Sequence, residues 1–492
     1  MQGVHAFDPK VKTTIDLESW VASDHFLRKV DRLLELAFLR ELTAACYSKL
    51  GRPSIDPEVF FRMLFVAYHY GISSDRQLCE EVRDNLAYRW FCRLSMKDPV
   101  PDHSSLSRTR DRFGEAIFEA VFREIVLLCQ KKGLVGKECR VMTDATLIAA
   151  DASLNSLIHN DPEEAAKEAV TQERDHGLKD ATSARRVSNQ THTSRTDPDA
   201  TLAQKKGTPQ QLKYKVHQTV DADSRVILDI EVTTGARHDN QPYLQQLRRV
   251  EDRYQVKITE AIADRGYGSA KIIKALKGRG TETYIPLWHR RSGRNSGTAV
   301  GLIFEPKSDR IRCPAGEYLY PNPGNYENRK RYASRSGQCR DCPLASTCPA
   351  KTRPTAPYTR FVLRPFDQDV FDEVQAQMNE PKFRKRASER MWKCEGLFAE
   401  AKENHNLARA RYRGRPKVQI QAYLTAIVQN LKRLVIAFYL WLLARSLLGQ
   451  FRSTRALASR NQARLFQHAR RFLTLLRPVS KNGRPRGSWD VP

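Results

Sequence analysis

The chain lacks several features, and each absence excludes a class of function. No apolar segment follows the amino terminus; Met1 to Lys12 is polar, so no secretory leader is expected. No apolar run reaches the roughly 20 residues that a bilayer span needs. The longest, Leu434 to Ala444, stops at Arg433 and Arg445 and reads as a buried helix. No Gly-x-x-x-x-Gly-Lys-Ser/Thr loop is present, which disfavours an ATP-driven motor or helicase. No repeat of solenoid type recurs, and no Ser or Tyr has the basic and His surround of a covalent nucleophile. Cysteine is too sparse for a disulfide scaffold, with ten in 492 residues. Six (Cys46, Cys79, Cys92, Cys129, Cys139 and Cys394) are dispersed, as in a reduced cytoplasmic protein.

Acid is short relative to base. There are 56 Asp and Glu against 83 Lys and Arg, a formal net charge of +27. A positive field of that size draws polyanions, nucleic acid first. The excess is gathered in blocks, which argues against a merely solubilising surface. The tail, 445–492, carries eleven Lys or Arg and one acid, Asp490. Hydrophobic residues make up 40%, so the chain is globular, with length for roughly two to four domains.

Residues 1–135 read as helical. Apolar residues recur at helical spacing from Asp24 to Tyr47, and Asp56-Pro57-Glu58 starts a helix that Gly71 stops. Asp102 caps a short basic helix with Arg108, Arg110 and Arg112; a longer one, Glu115 to Lys131, follows. Such a series is compatible with helix-turn-helix DNA binding or with dimerisation. From 136 the pattern becomes mixed. A short strand is expected to end at Asp144, and 156–211 is polar and reads as a long loop. A hairpin is expected from Lys213–Val220 and Arg225–Thr233, then a helix from Asn240 to Val250, and a strand from Ile258 that delivers Asp264. Residues 291–365 lose periodicity. Helices return at Asp367–Gln377, Phe383–Asn404 and Pro416–Ala444. The expected fold class is therefore α/β, a mixed sheet with helices, preceded by an all-α segment.

Three acids stand in distinctive frames: Asp144 in Val-Met-Thr-Asp-Ala-Thr, Asp264 in Ala-Asp-Arg-Gly-Tyr-Gly, and Glu395 in Glu-Gly-Leu-Phe-Ala-Glu-Ala-Lys. Carboxylates from two strand ends and a helix can converge on Mg²⁺, and two such ions can clamp a phosphodiester. Taken singly, an Asp after an apolar run is an ordinary turn residue. Glu389, Glu400 and Glu403 compete with Glu395 for the helical position. Lys402 lies seven residues beyond Glu395, two turns along one helical face, where it could contact a phosphate. Arg409, Arg411 and Arg413 form a basic run suited to a DNA backbone. Cys313, Cys339, Cys342 and Cys348 supply four thiolates, enough for a tetrahedral Zn²⁺ site; the flanking stretch looks too irregular to build an apolar core of its own.

In order and spacing, these frames resemble the bacterial insertion-sequence transposases of the DDE class. The resemblance runs nearly the whole chain. It includes Ile55-Asp56-Pro57-Glu58 through Arg112-Phe113, Thr196 to Ala200, Tyr214 to His217, Gly235 to Asp239, and Arg413-Gly414 through Arg433. It implies a ribonuclease H-like catalytic fold, a helical N-terminal domain and a cysteine-containing insertion. It also implies that Asp144, Asp264 and Glu395 are the metal triad, with Mg²⁺ or Mn²⁺ as cofactor. Some relatives carry Tyr, Arg, Glu and Lys in a fixed pattern on the last catalytic helix. Here Glu395 and Lys402 fit, but Met391 and Ser388 stand at the Arg and Tyr positions, and Arg390 lies one residue early.

The expected domains are 1–135 (DNA binding or dimerisation), 136–290 and 366–444 (catalytic), 291–365 (Cys-rich insertion) and 445–492 (basic tail). The expected partners are transposon ends and target DNA, engaged by a homodimer at the nucleoid. Two rival readings are a catalytically inactive DNA-binding regulator and a metal-dependent nuclease that cuts without rejoining.

Overall fold

The computed structural model describes residues 14–48, 50–51, 54–163, 187–205, 207–287, 301–326, 329–353 and 356–452. The expected basic tail from residue 453 onward, and the middle of the polar stretch at 164–186, lie outside the described residues. The chain divides into two compact units, Met1–Thr259 with Arg390–Pro492, and Glu260–Glu389.

The first unit begins with seven helices: α1 (Leu17–Trp20), α2 (Phe26–Asp31), α3 (Phe38–Thr43), α4 (Pro57–Tyr70), α5 (Asp75–Asp84), α6 (Leu86–Phe91) and α7 (His103–Lys131). Their ends follow the sequence signals. Asp56 Oδ1 accepts the Glu58 N–H with Pro57 at the first turn, and Gly71 at φ 67° ends α4. Asp102 accepts the N–H groups of Ser104 and Ser105. Gly114, at φ 64° and ψ 178°, breaks α7 between its basic and amphipathic halves. One expectation fails here. Residues 24–47 do not form one helix, because the chain turns between α2 and α3 to bury Leu33, Leu34 and Leu36.

The strands of this unit are β1 (Glu138–Ala149), β2 (Leu157–His159), β3 (His192–Ser194), β4 (Thr201–Ala203), β5 (Gln211–Asp221) and β6 (Ile227–Thr234). β5 pairs antiparallel with β1 on one side and with β6 and β4 on the other. The hairpin β5–β6 was expected. β1 does not stop at Asp144: it runs on to Ala149, because β5 continues to pair with it as far as Lys213 and the loop at Ala408–Ala410 closes on Ala149. The polar stretch is not all loop, since β2, β3 and β4 lie in it. Helix α8 (Asn240–Tyr254) precedes β7 (Lys257–Ala263). The first residues of β7 lie beside β1, with the Lys257 N–H donating to Lys137 O at 2.7 Å and the Thr259 hydroxyl to Cys139 O at 3.1 Å.

In the second unit, β7 continues and pairs in parallel with β8 (Glu282–Tyr284) through the connecting helix α9 (Ala270–Lys277). Within the first unit β6, β5 and β1 are antiparallel neighbours, and β7 and β8 form a parallel pair. Strands β9 (Ile303–Glu305), β10 (Arg310–Arg312), β11 (Tyr318–Tyr326), β12 (Arg329–Ala333), β13 (Lys351–Arg353) and β14 (Ala356–Pro365) then form a sheet in the order β13-β14-β12-β11-β10-β9. This corrects the expectation of an irregular, coreless stretch. Leu302, Ile311, Leu319, Tyr332, Ala350 and Val362 make a small core of its own. Three of its strands, β9, β10 and β13, have only three residues each, too few for a period to be read.

Helix α10 (Gln368–Met378) ends this unit, and α11 (Pro381–Asn404) runs from it into the first. The last described helix, α12 (Arg415–Arg452), is long and apolar enough over Arg415–Ala444 to cross a membrane. It is instead a core helix over Val418–Val435, packed against α7, α4 and β6. This packing places the helices expected as a separate domain at 1–135 in the same unit as the sheet. Its polar residues also close the open edge of β6. Asn430 accepts the Ile227 N–H (2.8 Å) and donates to Ile227 O (2.9 Å). Gln419 does the same for Val232 N–H (2.6 Å) and Ile230 O (3.0 Å). An edge strand's unpaired backbone groups are thus satisfied by side-chain amides rather than by another strand.

Candidate active site

Asp144 sits mid-strand in β1, opposite Gln218 of β5, on the face that also carries Thr146. Helix α11 meets this face. Gln218 donates to Cys394 O of α11 at 3.4 Å, and buried Lys393 donates to Ala222 O at 2.6 Å. Gly396 fits because an added Cβ would come within 3.3 Å of the Arg225 guanidinium.

Two contacts of α11 define the site. Arg390 Nη1 donates to Asp144 Oδ2 at 2.7 Å, and its Nη2 lies 3.6 Å from Glu395 Oε1. One guanidinium therefore lies between two of the three expected carboxylates. Two turns beyond Glu395, Lys402 donates to Thr146 Oγ1 (2.7 Å) and Leu147 O (3.1 Å). Burial, with Lys205 and Lys213 near, holds its pKa below the usual lysine value. The structure thus brings Asp144, Glu395 and Lys402 together in the first unit.

Asp264 belongs to the second unit. Its Oδ1 accepts the Gly266 N–H at 2.7 Å, and the carboxylate is half-buried at the end of β7. The glycines after it answer close approaches. An added Cβ on Gly266 would meet that carboxylate at 2.9 Å, and one on Gly268 would meet Pro286 O at 2.5 Å.

The rival acids on α11 have other work. Glu400 is buried and ion-paired with Lys432 and Arg433, with His405 Nε2 at 3.7 Å. Burial raises its pKa, but His405, Arg433 and Lys432 together outweigh burial and hold the carboxyl well below the usual range. Glu389 pairs with Arg386 within the second unit.

The basic candidates separate in the same way. Arg108 and Arg112 are exposed, Arg112 lying over the Tyr47 ring. Arg110 was expected at DNA, and the structure corrects this. It is 2% exposed, donates to both oxygens of Asp75 (2.9 and 3.0 Å) and lies over the Tyr412 ring. Arg411 also points inward, donating to Ile72 O at 2.6 Å over the Tyr68 ring. Arg409 and Arg413 are exposed and share Asp151.

Cys313, Cys339, Cys342 and Cys348 line one cavity of about 30 Å³ in the second unit, and all four are free thiols. Tight turns follow two of them, with Gly316 N–H donating to Cys313 O and Ala345 N–H to Cys342 O. Among the described residues, no group of three or more His, Cys, Asp or Glu is placed to hold a metal ion.

Residues 15–112 match the family described as Transposase domain (DUF772), and residues 312–435 match Transposase DDE domain. Together they support a DDE transposase. The second match covers the four cysteines, Glu395 and Lys402; Asp144 and Asp264 lie outside both matched ranges. Among solved structures, a piggyBac transposase synaptic complex with hairpin DNA is similar at 8% identity. The alignment covers 94% of this chain and 84% of that chain, with TM-score 0.30. A Mos1 transposase paired-end complex with left transposon end is 13% identical over 48% of this chain and 61% of that one, with TM-score 0.15. A Mos1 mariner paired end complex with Mn is 11% identical over 50% and 63%, with TM-score 0.16. No protein of curated function matches at a significant level.

Proposed function

We propose that this DNA transposase cuts the ends of its element by metal-dependent hydrolysis and joins the freed 3′-OH to target DNA. The observation that carries the reading is the Asp144–Arg390–Glu395 arrangement: two carboxylates from different elements share one cation. Arg390 stands there as a monovalent cation. The all-oxygen donor set suits Mg²⁺ or Mn²⁺. Asp144 and Glu395 would hold the ion; Asp264, in the second unit, is the third acid that the resemblance implies. When bound, the ion supplies Lewis acidity and a nucleophile at neutral pH.

The remaining roles fall to this chain's own groups. Lys402 offers its ammonium to a phosphate oxygen near the scissile bond, exchanging Thr146 and Leu147 O for it. Arg108, Arg112, Arg409 and Arg413 are exposed and suited to backbone phosphates, which position DNA without reading its sequence. The N-terminal helices bind the terminal inverted repeat, and a homodimer pairs the two ends.

The test uses DNA carrying the inverted repeats that flank the gene, incubated with the protein, Mg²⁺ and a supercoiled target. Joined products on gels are the expected result. Nicks or breaks without joining favour the nuclease reading, and binding without either favours the regulator.

The cysteine cavity supports a structural Zn²⁺. Cys313, Cys339, Cys342 and Cys348 line one small cavity, and four thiolates would suffice for a tetrahedral ion. The small apolar core shares the work of holding this sheet, so metal loss should loosen it rather than unfold it completely. Elemental analysis of protein purified without chelator is expected to find one zinc per chain. Cys339→Ser should lose it and gain protease sensitivity within 301–365. A chain free of zinc and unaffected by that substitution would rule the site out.

A further inference from the structure

We infer that Arg390 is a positioning residue that couples metal entry to DNA binding: it holds the carboxylates of Asp144 and Glu395 until a DNA phosphate draws its guanidinium away. The inference rests on the proposed metal role of those two acids.

Arg390 and Asp144 side chains are each 15% exposed, whereas that of Glu395 is 56% exposed. Two carboxylates that approach one space repel each other and would turn apart if no cation lay between them. Arg390 prevents this. Its Nη1 holds Asp144 by a charge-assisted hydrogen bond at 2.7 Å, while Nη2 stands 3.6 Å from the more exposed Glu395. One guanidinium thus bridges the two acids.

The same contact obstructs a metal. A Mg²⁺ ion sits about 2.0–2.1 Å from its oxygen ligands and demands near-octahedral geometry. The Asp144 oxygen that faces Arg390 is engaged by a hydrogen bond from a group too large to share that space. Metal entry must break the bond, and a buried guanidinium left without an anion is costly. A phosphodiester removes that cost. The planar fork of arginine fits phosphate as well as carboxylate, so a backbone phosphate offers an equivalent partner. DNA lowers the cost of metal entry, and by reciprocity metal tightens DNA. Arg390 occupies the helix of Glu395 itself, five residues earlier, so the exchange needs a side-chain rotation and no movement of α11.

The experiment measures Mn²⁺ affinity by isothermal titration and electron paramagnetic resonance, with and without a short duplex DNA. It compares the full-length protein with Arg390→Gln and Asp144→Asn, each checked for folding by its thermal midpoint. Couplings of this kind typically amount to 5–150-fold. The parent is expected to bind Mn²⁺ about tenfold more tightly with DNA than without. Arg390→Gln is expected to bind Mn²⁺ more tightly than the parent without DNA, and to show little further gain when DNA is added. Unchanged or weaker Mn²⁺ binding by folded Arg390→Gln without DNA overturns the inference, because Arg390 would then be only a clamp. Asp144→Asn binding Mn²⁺ as the parent does would sink the metal reading itself, a distinct result.

Discussion

Replacing Asp144 by Asn is expected to lower Mg²⁺-dependent cleavage of transposon ends by about 10³-fold or more. A bound ion contributes several kcal/mol of transition-state stabilisation, and each 1.36 kcal/mol is a factor of ten in rate. Asn is close to isosteric and keeps one oxygen, so the strand should be undisturbed. The substitution takes away charge, hence affinity for a hard cation, and leaves Arg390 paired only with the more exposed Glu395. DNA binding should survive, because the exposed arginines are untouched. A gel-shift assay beside the cleavage assay separates these effects. Retained cleavage in Asp144→Asn would remove this residue from the chemistry. Loss of cleavage together with loss of folding would instead assign it to the core of the sheet.

Glu400→Gln is expected to destabilise the first unit by about 3–5 kcal/mol, the usual cost of breaking a buried ion pair from one side. Glu400 is 6% exposed and serves Lys432 and Arg433 at once. Its removal leaves two cations facing buried His405 with no counter-charge. Urea unfolding at neutral pH measures the loss. The pH dependence has a definite sign. The folded carboxyl titrates below the ordinary glutamate value of 4.5, so its stabilisation is complete above that pH. It is lost as pH falls further and the folded carboxylate takes up its proton. The gap between parent and Glu400→Gln should therefore be full at neutral pH and narrow below about pH 4. A gap that stayed constant down to strongly acidic pH would show that the ion pairs do not supply the stability.

Glu395 and Glu400 lie five residues apart on one helix and have different surroundings, which marks the limit of a sequence reading. Helix α11 was legible from its period, and the seven-residue spacing put Glu395 and Lys402 on one face of it. Nothing in that spacing separates Glu395 from Glu400. The difference is what faces each: α12 brings Lys432 and Arg433 to Glu400, while the α11 residues around Glu395 meet β1. Arg110 makes the same point. Its neighbours Arg108 and Arg112 are exposed, yet it turns inward because Asp75 and Tyr412, distant in sequence, wait there. Arg390 lies one residue before the Arg position of the resemblance; only the fold set it between two carboxylates.

Local signals belonged to the chain itself. The caps at Asp56 and Asp102, the stop at Gly71, the break at Gly114 and the β5–β6 hairpin depend on backbone conformations that a few adjacent residues impose. The four cysteines stood out by type and spacing, but the cavity they line came from the fold. The extension of β1 past Asp144, the six-stranded sheet around those cysteines and the amide-sealed edge of β6 came from tertiary pairing. Each needs partners tens to hundreds of residues away, and hydrogen bonds across such distances leave no period in the sequence. Which groups are chemical and which structural was decided there too, because a carboxylate's role follows from the charges packed against it.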